Sequence, residues 1–175
     1  MGNAPNDVDV PFLARFGLFL ARFCLSAWIG AATLFVIVGV TEVTRGNFNS
    51  TTKDILVAVR FPAFYVCGVT LVSLGFYGTW FAGNSALFPR NRRISTFVLL
   101  VIVLSLMAVD YISIYQPLVQ MVTPPGQTKP AQFVAYHSAS KWINLIGLIF
   151  CSMATVLVNW PPNPSHDHSS ISKID

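Results

Sequence analysis

Charge is what this sequence has least of. Asp, Glu, Lys and Arg make up 10% of its 175 residues, against roughly 25% in soluble domains. With 54% of the chain hydrophobic, a water-soluble fold would lack the polar side chains to cover its surface, so lipid is the expected solvent. The net charge of +4 is spread along the chain, and no basic stripe alternates with aromatics. Nucleic acid is therefore excluded as a partner. Cysteine is sparse as well. Cys24, Cys67 and Cys151 all lie in apolar stretches, with no C-x-x-C pair, and read as small hydrophobes in helix contacts rather than a disulfide framework.

Catalytic signatures are also missing. The chain has no P-loop, no Gly-x-Gly-x-x-Gly after a strand, no His-Glu-x-x-His and no Gly-x-Ser-x-Gly. Ser140 is one helical turn from His137, and Ser138 is next to it. Helix packing accounts for that grouping better than a nucleophile pair does. No enzyme is expected. The start Met1-Gly2-Asn3 has Asn6 where an acylation signal requires Ser or Thr, and Asp7 and Asp9 oppose a basic leader. An uncleaved first helix is expected.

What the sequence does have is four long apolar runs. Crossing ~30 Å of hydrocarbon as a helix takes about 20 apolar residues. Phe23 to Thr41, Phe61 to Phe81, Ile94 to Gln116 and Trp142 to Trp160 meet that need, and the third contains one charge, Asp110. The runs are continuously apolar, not alternating, so helices satisfy the backbone and a barrel does not. The expectation is an all-α, four-transmembrane-helix antiparallel bundle over residues 12–160. Residues 1–11 form a polar N-terminal segment, and residues 161–175 a polar, disordered tail. Val10 to Arg22 reads as a helical lead-in with Arg15 and Arg22 on one face. Thr44 to Asp54, Gly83 to Arg93 and Pro117 to Pro130 read as the connections.

An even number of spans puts both termini on one side. That side would hold Arg15, Arg22, Arg90, Arg92, Arg93 and Lys173; the other would hold Arg45, Lys53, Arg60, Lys129 and Lys141. The Arg90-Asn91-Arg92-Arg93 cluster in a short loop points to cytoplasmic termini. Asn49-Ser50-Thr51 is a glycosylation sequon in the opposite loop. Trp80 and Trp160 near one face, and Trp142 near the other, suit interfacial belts.

Helices in lipid associate through small residues and polar bonds. Candidate contact positions are Ser26 and Gly30 in the first span, Gly75, Thr79 and Gly83 in the second, and Gly147 and Cys151 in the fourth. In the third, Ser105 and Ala108 are the obvious small residues. Antiparallel threading also gathers Glu42, Arg60, Asp110, Gln116, His137, Lys141 and Asn144 at one end. A bare carboxylate at depth costs several kcal/mol, and Arg60 and Lys141 are the cations available to Asp110. The cluster is open to two readings, a register-setting lock or a site for a proton, an ion or a small ligand.

The segment Ile114-Tyr115-Gln116-Pro117-Leu118-Val119-Gln120-Met121, then Phe133-Val134-Ala135-Tyr136-His137, then Ser140-Lys141-Trp142-Ile143-Asn144-Leu145-Ile146-Gly147 resembles the transmembrane protein 205-like family of unknown function. The resemblance implies a four-helix membrane domain. More distantly it implies similarity to the membrane part of copper resistance protein D and its haem-binding relatives. Where that family has an apolar-Pro-Phe segment, this chain has Val38-Gly39-Val40-Thr41-Glu42-Val43. A two-histidine haem finds only His137 near a span. Copper would need His166-Asp167-His168 in the tail, or the thioethers of Met107, Met121 and Met153. No cofactor is expected; haem and copper are the weaker alternatives. The leading functional expectation is a non-catalytic membrane protein, either an accessory subunit among other membrane subunits or an oligomer of itself. Its rivals are a small transporter or proton- or ion-handling protein using Asp110, His137 and Asn144, and a haem- or copper-binding redox protein.

Overall fold

The computed structural model describes residues 11–45, 48–83 and 88–161. The polar N-terminal segment, apart from its last residue, and the tail beyond Pro161 lie outside the described residues. His166, His168 and Lys173 fall with them.

Each long apolar run folds as a helix. They are α1 (Phe12–Thr44), α2 (Ser50–Phe81), α3 (Arg90–Val109) and α5 (Gln132–Asn159). A π-helical turn, Asp110–Tyr115, and a short α4, Gln116–Met121, continue α3 without a break. Among the described residues four helices, counting Arg90–Met121 as one, are long and apolar enough to cross a bilayer. Helix α1 packs on α2 and α5, and α3 packs on the same two, which closes an antiparallel four-helix bundle.

The helices outrun the apolar runs at both ends. At ~1.5 Å per residue the 33 residues of α1 reach about 50 Å, well beyond a hydrocarbon layer of ~30 Å. Two local features explain the extra length. Asn49 caps α2, its side-chain oxygen accepting from the Thr52 N–H at 2.8 Å, so helix begins within the polar stretch Thr44 to Asp54. Pro117 does not end the third span. The N–H of Gln116 reaches back five residues to the carbonyl of Tyr111, which places the widened turn just ahead of a residue that has no N–H to give. The helix then runs on to Met121.

The core is made of stripes three and four residues apart. On α1 these are Ala14, Leu18, Ala21, Leu25, Trp28 and Ala32; on α3, Thr96, Leu100, Val103 and Met107. The backbones of α1 and α2 approach closely at Gly17 and Gly78. A Cβ on Gly78 would stand 2.7 Å from the Gly17 carbonyl oxygen and 2.7 Å from the Ala21 nitrogen. Only glycine permits that crossing. In contrast, Ser26 and Gly30 are exposed, and nothing lies within 4 Å of a Cβ built on Gly30. The small residues of α1 at the glycine crossing with α2 are thus Gly17 and Ala21. Ser105 and Ala108 are exposed too; the third span packs through its bulky Leu100, Val103 and Met107. Gly75 lies against the Leu25 side chain, and Thr79, Gly147 and Cys151 are buried. Gly83 is not a packing position. Its φ of +60° belongs to the turn that leaves α2. Trp80, Trp142 and Trp160 are 67%, 62% and 57% exposed, so their rings face the surroundings of the bundle as belt residues do.

Candidate functional site: a buried carboxyl between three helices

Asp110 opens the π-helical turn and is fully buried. Its position on the third span, between α2 and α5, lets one oxygen collect donors from both. Oδ2 accepts from the Tyr65 hydroxyl at 2.5 Å, the Asn144 amide nitrogen at 2.5 Å and the Ser140 hydroxyl at 3.2 Å. Asn144 is itself held by donating to the Ser140 backbone carbonyl at 2.9 Å, one turn back on α5. The other oxygen, Oδ1, is buried with no hydrogen-bond partner among the described residues. No cation pairs with the carboxyl there. A buried carboxyl with three donors on one oxygen and no described protein donor on the other is an unusual arrangement, since such groups normally find partners on both.

Aromatic rings enclose this carboxyl toward α1 and α2. Tyr65 lies 5.1 Å from both Tyr111 and Tyr115, and Phe61 stacks on Tyr115 at 5.7 Å. Phe64, Phe35 and Trp28 continue the cluster into α1. Eighteen residues, about 27 Å of helix, separate Asp110 from Arg92, whose guanidinium donates to the Leu157 and Trp160 carbonyls at the other end of the bundle. If the arginines mark one edge of the hydrocarbon, the carboxyl sits just inside the opposite edge.

Of the seven residues expected to cluster, Asp110 and Asn144 are joined directly. Glu42 and Arg60 form their own ion pair, with Arg60 also 5.9 Å above the Phe35 ring. Arg60 is therefore committed to Glu42, and the expected cation for Asp110 is replaced by three neutral donors. Lys141, His137 and Gln116 are exposed. His137 stacks on Phe133 at 5.8 Å with rings 7° from parallel, and Lys129 lies 4.9 Å over the same Phe133 ring. Tyr65 is the member that sequence reasoning missed. A tyrosine inside an apolar run reads as packing or belt, and only its spacing of five from Arg60 hinted at the same level.

A second pair was also hidden. Asp54 is 3% exposed, accepts from the Lys129 ammonium at 2.9 Å and from the Gly126 N–H at 3.1 Å, and so ties the α4–α5 loop to the start of α2. Gly126 is required there, with φ at +85° and Thr51 Oγ1 2.5 Å from any added Cβ.

His137 is exposed, and among the described residues no group of three or more His, Cys, Asp or Glu side chains gathers; the His166-Asp167-His168 candidate for copper lies outside the described residues. Cys24 and Cys151 are buried and Cys67 is exposed, all as free thiols. Compared with known proteins, the chain matches no family model, no curated protein and no solved structure.

Proposed function

We propose that this chain is a multi-pass membrane protein that handles a proton, or a small monovalent cation, at Asp110. The observation that carries this reading is the buried Oδ1, which has no protein partner among the described residues. A charge there without a counter-ion costs several kcal/mol in a low-dielectric surround, so the carboxyl favours an occupant. Tyr65, Ser140 and Asn144 hold Oδ2 in place and leave Oδ1 as the exchanging atom. The Glu42–Arg60 pair, near the bundle end on the same side, supplies charge at the approach.

The test is reconstitution into vesicles with a trapped pH-sensitive dye, followed by an external pH step at fixed sodium and potassium, and then cation steps at fixed pH. Wild type is expected to pass protons or one of the cations faster than empty vesicles, and Asp110→Asn is expected to abolish the difference. Equal fluxes in wild type, Asp110→Asn and empty vesicles would end the proposal.

A second reading, an accessory subunit or self-associating protein, is favoured by one feature. The outer face of α5 carries a shallow apolar groove lined by Leu148, Ile149, Ser152, Met153, Val156 and Leu157, which another helix fits as well as an acyl chain does. Co-purifying membrane subunits in mild detergent would support it. Cytoplasmic termini belong to either reading, with the arginine-rich end facing the cytoplasm.

A further inference from the structure

At the end of the bundle opposite Asp110, the described residues include a concentration of arginine and no acid. Arg15, Arg22, Arg90, Arg92 and Arg93 lie there, whereas the described acidic residues, Glu42, Asp54 and Asp110, all sit toward the other end. Two of these arginines are built into the fold. Arg92 donates to the Leu157 and Trp160 carbonyls at 2.7 and 2.6 Å, and Arg22 Nε donates to the Val158 carbonyl at 3.0 Å. Both thereby cap the carbonyl end of α5, where the helix dipole favours positive charge.

Arg22 has a further property. Its single described bond uses Nε, which fixes the plane of the guanidinium and leaves both terminal nitrogens without a protein acceptor among the described residues. It heads a groove of about 500 Å³ between α1 and α5, lined also by Phe19, Phe23, Ser26, Ala27 and Asn159. Phe19 and Phe23 are exposed and stacked, with ring centroids 6.2 Å apart. One end of the groove is thus a charged fork with Ser26 and Asn159 beside it, and its wall is aromatic and aliphatic. A guanidinium fork matches the oxygens of a phosphodiester. The apolar wall matches a chain, and the guanidinium at its head, with Arg92 nearby at the same end of α5, favours an anionic molecule.

We infer that this groove binds an anionic phospholipid, with the Arg22 guanidinium on the phosphate and Phe19 and Phe23 along an acyl chain. The full chain is tested in nanodiscs of phosphatidylcholine with phosphatidylglycerol, washed in mild detergent and assayed by native mass spectrometry for retained lipid. Wild type is expected to retain phosphatidylglycerol over phosphatidylcholine, and millimolar inorganic phosphate is expected not to displace it. Arg22→Gln is expected to lower retention several-fold. Ser26→Phe, which fills the groove and leaves Arg22 bonded to α5, is expected to do the same and decides the matter if Arg22→Gln unfolds. Arg90→Gln, an exposed arginine outside the groove, is expected to retain lipid as wild type does. Undiminished retention in Ser26→Phe, loss in Arg90→Gln as large as in Arg22→Gln, or displacement by inorganic phosphate would overturn the assignment.

Discussion

At the scale of single residues, Asp110 holds three helices together through one oxygen. Replacing it with leucine leaves the Tyr65 and Ser140 hydroxyls without this acceptor in an apolar interior, whereas the Asn144 amide keeps its bond to the Ser140 carbonyl. Each unsatisfied buried donor costs about 1–3 kcal/mol, reduced in membrane helices by alternative partners. Asp110→Leu is therefore expected to lower stability by about 2–4 kcal/mol, and Tyr65→Phe by about 1 kcal/mol. Thermal unfolding in detergent reads both; a melting temperature unchanged in Asp110→Leu would refute the bonding scheme. Asp110 and Asn144 were legible in the sequence because a lone charge in a 23-residue apolar run, facing an amide on the adjacent span, has few explanations. Tyr65 and Asp54 were not. Their roles depend on which residues a neighbouring helix or loop brings opposite, and the chain records no such pairing locally.

At the scale of elements, the sequence announces four helices but not their ends or their contact faces. Hydropathy stops counting at the first charge, whereas a cap such as Asn49 and a widened turn such as Asp110–Tyr115 let the helices run through polar residues and past Pro117. The small-residue signal was ambiguous for a related reason. Ser26 and Gly30 share a spacing of four with Gly17 and Ala21, and periodicity alone does not say which set faces α2. The crossing geometry does. Gly78→Ala pushes a methyl into the α1 backbone and is expected to cost about 1–3 kcal/mol. Gly30→Ala meets nothing and is expected to be neutral or stabilising by up to about 1 kcal/mol. Unfolding midpoints of the two variants, measured side by side, separate these faces; an equal effect in both would contradict the assigned crossing.

At the scale of the whole molecule, low charge, long apolar helices and antiparallel threading all describe one object, a four-helix bundle whose helices are long and apolar enough to cross a bilayer. Its two ends differ: arginine gathers at one, and the ion pairs Glu42–Arg60 and Asp54–Lys129 stand at the other. The burial of Asp110 takes its meaning from that setting, because the same carboxyl in a water-filled cleft would need no occupant. Placement of the connections across the bilayer is thus the most direct measurement. With the three native cysteines replaced by alanine, Arg45→Cys, Thr128→Cys and Pro161→Cys are labelled separately with a membrane-impermeant thiol reagent in sealed vesicles of one orientation. Arg45→Cys and Thr128→Cys are predicted to react from the same side, and Pro161→Cys only from the other. Labelling of all three from one side, or of Arg45→Cys and Thr128→Cys from opposite sides, would contradict the account.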